Sequence, residues 1–140
     1  MQRQDTLLPI LIKRCARLID RDIDDTLKRH AIARSQYRVL YYAAKLGEPT
    51  QTDLIMAMEV QASTLTLIVD ALVKKGWLVR VQDTKDRRIN KLRLTPDGER
   101  NFKQIPDPAH KLHRKMVKQL SNQEAQQFEQ SLQKIINGLR

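Results

Sequence analysis

The sequence predicts a mostly α-helical fold carrying one small antiparallel hairpin of two to three strands. Three observations point to it. Apolar residues recur every three or four positions along most of the 140 residues. Aromatic residues make up only 4% and charged residues 30%, which suits an aliphatic helical core and argues against a β-sandwich. Helical spacing gives way to a strand-like alternation in "WLVRVQ" (77–82) and "KLRLT" (91–95), two short runs around a polar tip. The length is that of a single domain, 1–140.

Residues 5–29 form the first predicted helix, with Leu8, Leu11, Cys15, Leu18 (or Ile19), Ile23 and Leu27 on one stripe. That stripe is wide for a helix at a chain end and needs a partner to cover it. "HAIAR" (30–34) breaks the rhythm. Ser35 opens a second helix, with Val39, Leu40 and Ala43 inward, that runs to a stop at Gly47. Thr50 stands three residues before Asp53, a capping-box spacing, so a short third helix starts at about residue 51. "MEVQA" (58–62) makes a turn. "STLTLIVDALVKKG" (63–76) makes a fourth helix with Leu65, Ile68, Val69, Leu72 and Val73 on one face. Gln61-Ala62 is a poor N-cap for it. Gln61, Ser63, Thr64 and Thr66 fall on the opposite face near its start, and Lys74 and Lys75 sit in its last turn, where the dipole favours cations.

Two helices, the first short, joined by a turn of three to four residues make a helix-turn-helix. The hairpin follows at once, with Trp77, Val79 and Gln82 assigned to one face, Leu78 and Arg80 to the other, and residues 83–90 as its tip. It is a wing on the helix-turn-helix. Pro96 suits the first turn of a fifth helix, which Pro106 and Pro108 must kink or interrupt. Ser121 to Glu124 repeats the capping-box spacing and opens a last helix bearing Phe128, Leu132, Ile135, Ile136 and Leu139.

The formal charge is +10 and the pI about 10. Residues 74–93 concentrate the excess: eight basic side chains against Asp83 and Asp86, a net +6 in twenty residues. Such a surface points to a polyanion, nucleic acid first and anionic membrane second. Cys15 stands alone, so there is no internal disulfide framework and no Cys-rich zinc site, and a reducing cytoplasm is the natural compartment. "LLPILI" (7–12) is too short for a membrane span and lacks a following cleavage site. Without a Gly-rich phosphate loop, a nucleophile motif or an acidic metal cluster, no enzyme and no cofactor is expected.

The order of elements and the wing residues resemble the MarR family of transcription regulators (multiple antibiotic resistance regulators). That family's wing carries D-x-R, three residues, L-x-L-T, two residues, G. Here the same pattern is Asp86-Arg87-Arg88, Leu92-Arg93-Leu94-Thr95 and Gly98. "SQYRVL" (35–40) is similar to the family's second helix, and "STLTLIVDALVKKGWLVR" (63–80) to its recognition helix and following strand. Ala31-Ile32-Ala33 departs from the Gly-Leu-Thr often found there.

The resemblance implies a winged lobe over 33–98 that binds double-stranded DNA, and a homodimer held by 1–30 and 99–140. Within it, Gln61, Ser63, Thr64 and Thr66 are the candidates to read base edges. Lys74, Lys75 and the helix N-terminus at Thr50, Gln51 and Thr52 are candidates for phosphates. Lys85, Arg87 and Arg88 are the wing contacts, with Asp86 as orienter and a narrow minor groove as the target. Family members often take small phenolic or aromatic carboxylate effectors, for which Arg14, Arg17, Tyr37 and Tyr41 are the candidates; the alternative is that the tyrosines only fill space. Peroxide-sensing relatives make Cys15 a redox candidate, against the commoner reading of an inert buried cysteine. Some members bind zinc, but His110 and His113, three apart with His30 elsewhere, do not make a metal site. The rival function is a basic winged-helix module that binds protein or RNA without operator specificity. Paired arginines at the tip favour DNA over protein, and the lack of stacking aromatics on a sheet disfavours RNA.

Overall fold

The computed structural model describes residues 7–140, so the helix start expected at residues 5 and 6 lies outside the described residues. The described elements are α1 (Leu7–Lys28), α2 (Arg34–Leu46), α3 (Gln51–Met58), α4 (Ala62–Lys75), β1 (Leu78–Gln82), β2 (Asn90–Leu94), α5 (Pro96–Gln104), α6 (Pro108–Val117) and α7 (Asn122–Leu139). They fall into two compact units: Asp24–Pro106, and the residues up to Ile23 with Asp107–Arg140. The fold is mostly helical with a two-stranded antiparallel wing.

The Asp24–Pro106 unit holds the larger core. Leu27, Val39, Leu40, Leu54, Leu65, Val69, Leu72 and Leu92 are fully buried. On α4 the buried line is Leu65, Val69 and Leu72, at i, i+4 and i+7; Ile68 and Val73 are only half-buried at its edges. Where α1 ends, the amides of His30 and Ile32 both donate to Leu27 O, which forces Ala31 into the left-handed region at φ 54°. This is the place where the family often carries glycine, the residue that adopts such a φ without steric cost. α2 then opens at Arg34, one residue earlier than expected. Its N-cap is Ala33, whose N–H donates to the Gln36 side chain at 3.2 Å.

Both arms of the Thr50 box are made. Asp53 N–H donates to Thr50 Oγ1 at 3.1 Å, and Thr50 N–H donates to Asp53 Oδ2 at 3.0 Å. α3 stops at Glu59, left-handed at φ 54°, and Arg38 on α2 caps it by donating to Met58 O. α4 follows at a bend of 116°, within the range of a helix-turn-helix. Gln61 provides no side-chain cap.

The hairpin register pairs Leu78 with Leu94, Arg80 with Leu92 and Gln82 with Asn90. Gln82 therefore shares the face of Leu78 and Arg80, which corrects the expected grouping with Val79: successive strand residues alternate, and no bulge intervenes to change parity. Trp77 lies just before the strand. A single bridge between Thr50 and Lys91, with Leu92 N–H donating to Pro49 O, lays the α2–α3 loop along the outer edge of β2.

The two prolines separate α5 from α6. Ile105, before Pro106, is extended at φ −80° and ψ 117°, the conformation a following proline imposes. Asp107 restarts the chain by accepting from Ala109 N–H.

In the other unit, Lys115 on α6 bonds Asp22 on α1 at 2.7 Å, and Ser121 Oγ caps α7 by accepting from Glu124 N–H. No residue of α7 is buried. Phe128, Ile136 and Leu139 are exposed, as are Leu7, Leu8, Ile10, Leu11 and Leu18 on α1. Cys15 is exposed too, rather than buried as an inert core cysteine would be.

Leu72→Ala is expected to lower the unfolding free energy by about 2–5 kcal/mol in urea melts, the loss typical of a fully buried leucine. Ala31→Gly should raise it by about 1 kcal/mol, by removing the Cβ penalty of a left-handed residue.

Candidate nucleic-acid interface

The wing tip is built by hydrogen bonds. Asp83 N–H donates to Ile89 O, and Ile89 N–H to Asp86 O, closing the loop. Asp83 Oδ1 accepts from Lys85 N–H at 2.9 Å, and Gln82 Nε2 donates to Arg87 O at 2.8 Å. Asp86 then grips Arg88 in three places. Its Oδ1 accepts from Arg88 N–H at 3.0 Å and from Nε at 3.1 Å, while Oδ2 accepts from Nη2 at 3.2 Å. The guanidinium is thus held by a fork to a carboxylate, yet 90% of the Arg88 side chain faces solvent. These bonds, first from the guanidinium and then from the Arg88 amide, hold the Asp86 carboxyl below its ordinary range against the opposing effect of burial. An exposed pair of this kind adds little stability. Its effect is to limit where Arg88 can point. The side chains of Lys85 and Arg87 project beside it, exposed and without an ion pair to a described residue.

On α4, Ser63 and Thr64 are exposed, and Gln61 is exposed at the cap. Thr66 is turned to the side. Its hydroxyl donates to Ala62 O at 3.0 Å and accepts from Gln51 Nε2 at 3.3 Å. Gln51 and Thr66, expected separately at a phosphate and at a base, are therefore joined and brace the start of α3 against α4. Thr50 and Asp53 are engaged in the capping box, and Thr52 is exposed.

The two lysines at the end of α4 differ. Lys74 is exposed. Lys75 Nζ donates to Ala31 O at 2.5 Å and stands 4.2 Å from the centre of the Trp77 ring, so it braces the α1–α2 turn. Arg80 pairs with Asp70, and Arg93 with Glu48, each at 2.5 Å. The Arg93 bond holds the Glu48 carboxyl below its usual range and ties the α2–α3 loop to β2. The bonds of Lys75 to Ala31, Arg80 to Asp70 and Arg93 to Glu48 have no sequence signal, because each joins residues at least ten apart. Sequence periodicity also passed over Leu67, which is 71% exposed on α4 although its neighbours Leu65 and Val69 are fully buried.

The effector candidates separate between the two units. Arg14 and Arg17 are exposed on α1 in one. In the other, Tyr37 packs on Phe102 at 5.5 Å, and Tyr41 meets Tyr42 edge-on with Lys45 at 5.7 Å from its ring. A cleft of about 470 Å³ in the same unit is lined by Glu48, Arg93, Leu94 and Phe102, among others, and by neither Tyr37 nor Tyr41. Among the described residues no group of three His, Cys, Asp or Glu could hold a metal ion.

Because the Asp86 carboxyl titrates lower in the folded than in the unfolded chain, its contribution is present above the ordinary carboxyl range and is lost as pH falls through the folded value. In NMR titrations the Arg88 amide and Nε–H signals should shift in acid, below the ordinary aspartate range, and Asp86→Asn should abolish that shift while leaving the fold intact.

A model of the MarR family matches residues 32–89. MarR of Salmonella typhimurium, a multiple antibiotic resistance protein, is 31% identical over 118 residues, spanning 84% of this chain and 82% of its own. The uncharacterised HTH-type regulator YsmB of Bacillus subtilis is 29% identical over 92% of this chain and 88% of its own. Among solved structures, a mutant MarR of E. coli complexed with operator DNA superposes with a TM-score of 0.84 at 26% identity, over 96% of this chain and 99% of that one. The fold is also that of the S. aureus MepR–DNA complex, at a TM-score of 0.87 and 21% identity over 99% and 100% of the two chains. With its helix-turn-helix, its basic wing and these relatives, the chain belongs to the MarR family of winged helix-turn-helix, DNA-binding transcription regulators, a family that is not enzymatic.

Proposed function

We propose that the protein is a repressor that binds a pseudo-palindromic operator as a homodimer. One observation carries the operator reading: Asp86 forks Arg88 at the tip of a basic wing and leaves the guanidinium in solvent. An arginine so oriented suits the narrow minor groove beside a site read by α4. In this reading Gln61, Ser63 and Thr64 face base edges in the major groove. Lys74, Lys85, Arg87 and Thr52 meet phosphates. Gln51 and Thr66 position α3 against α4, Thr50 caps α3, and Lys75 braces the lobe. The similar E. coli MarR was solved with operator DNA, which supports the same partner here.

The exposed apolar residues of α1 and α7 support the homodimer, since so many large apolar side chains on two helices are costly to leave in water. Two-fold symmetry then sets the half-sites about one helical turn apart. A dimer over a promoter blocks polymerase, and this is the ground for repression. A small phenolic or aromatic carboxylate is the effector class that the family membership favours, with the exposed Tyr41 as a candidate contact.

The test is binding to the DNA upstream of the protein's own coding region, with a scrambled duplex as control, at two salt concentrations. Tight binding to the native duplex alone is expected. Arg88→Ala should leave the melting temperature unchanged and weaken that binding by roughly 5- to 150-fold. Lys85→Ala should lower the salt slope by about 1. Equal, steeply salt-dependent binding to both duplexes, or an unchanged Arg88→Ala, would defeat the reading in favour of a merely basic docking module. In sedimentation the protein should run as a dimer, and Leu11→Glu should shift it towards monomer.

A further inference from the structure

The inward line of α4 is Leu65, Val69 and Leu72, and Leu67 lies on the opposite side of the helix, 71% exposed. Ser63 precedes it by one turn on that outward line, and Asp70 and Lys74 follow at i+3 and i+7. The Asp70 carboxylate is engaged by Arg80 at 2.5 Å, so the acid beside Leu67 is neutralised. Thr66, next in sequence, is turned aside and bonded to Gln51 and to Ala62 O. A single exposed leucine is ordinary on a protein surface. This one occupies the middle of the outward face of the second helix of a helix-turn-helix, with no arginine or lysine nearer the helix start, and a segment of net charge +6 follows in the chain.

We propose that Leu67 is a specificity residue that reads thymine, by packing on the C5-methyl group of one thymine in each half-site. The proposal rests on the operator reading above. A basic surface selects a polyanion, and the apolar group that duplex DNA displays in its major groove is the thymine methyl. Leu67 offers no hydrogen bond, so it distinguishes thymine from cytosine by that methyl alone. Ser63 and Thr64, with hydroxyls on the preceding turn, face neighbouring base edges. Water leaves both apolar surfaces when they meet, and no buried polar group is left unpaired.

The experiment starts from duplexes selected out of a random pool by the wild-type protein. Each thymine of the selected site is then replaced by uracil, which removes the C5-methyl and keeps the base pair. Affinities are measured for the wild type, Leu67→Ala and Leu67→Met. One thymine per half-site should emerge whose replacement weakens wild-type binding about fourfold, the factor for withdrawing one methyl-sized group from burial. Leu67→Ala should melt at the wild-type temperature and be indifferent to that replacement, while Leu67→Met should retain the penalty. A wild type indifferent to uracil at every position, or an equal penalty in Leu67→Ala, overturns the assignment while leaving the operator reading in place. A pool that yields no common sequence overturns the operator reading, and this one with it.

Discussion

A wing can reach a groove only if it keeps a fixed angle to the recognition helix, and that angle rests on two backbone carbonyls at the end of α4. Thr95 Oγ1 donates to Gly76 O at 2.5 Å and accepts from Gly98 N–H at 3.0 Å, while Thr95 N–H donates to Trp77 O. Gly98 completes the joint by having no side chain: a Cβ there would overlap the Trp77 carbonyl oxygen and lie 2.9 Å from its carbonyl carbon. One hydroxyl thus caps α5 and ties the return strand to the end of α4. Leu92 and Leu94 anchor the same strand in the core. Half of the wing motif, L-x-L-T-x-x-G, is a structural joint, and D-x-R is the half that presents charge.

The basic segment divides in the same way. Lys75, Arg80 and Arg93 are used inside the lobe: on the Ala31 carbonyl and the Trp77 ring, on Asp70, and on Glu48. Arg88 is oriented by Asp86 but remains presented. Lys74, Lys85, Arg87 and Lys91 make no ion pair among the described residues. Cations bound within the lobe hold its helices and strands in register, and those left outside create the surface potential. A net charge of +6 counted along the chain therefore overstates what a ligand meets directly, although the field still sums over all of it.

The helices were legible because burial repeats at helical spacing, and their ends because caps are local. Thr50 with Asp53, Gly76 at φ 83°, and Pro96 at the first position of α5 each act within a few residues. The structure departs from the expectation where a local preference is overridden. Ala33 caps α2 without a side-chain oxygen, so the helix begins one residue before the Ser35 that local preference favoured. Gln82 lies on the face of Leu78 and Arg80, not on that of Val79, because its register with Asn90 keeps the two-residue period unbroken. Leu67 has no sequence signal of its exposure, because a leucine among apolar neighbours has the pattern of core until the helix is oriented.

By itself the sequence determined the order of elements, the basic wing and the family, because these depend on periodicity, capping and a motif contained within thirteen residues. Tertiary structure alone decided which polar residues are spent inside the lobe. Gln51 meets Thr66 fifteen positions away, Lys75 meets Ala31 across forty-four, and Arg93 meets Glu48 across forty-five. Whether a side chain braces the lobe or faces a ligand depends on which groups folding brings within hydrogen-bond reach, and no local pattern encodes that distance.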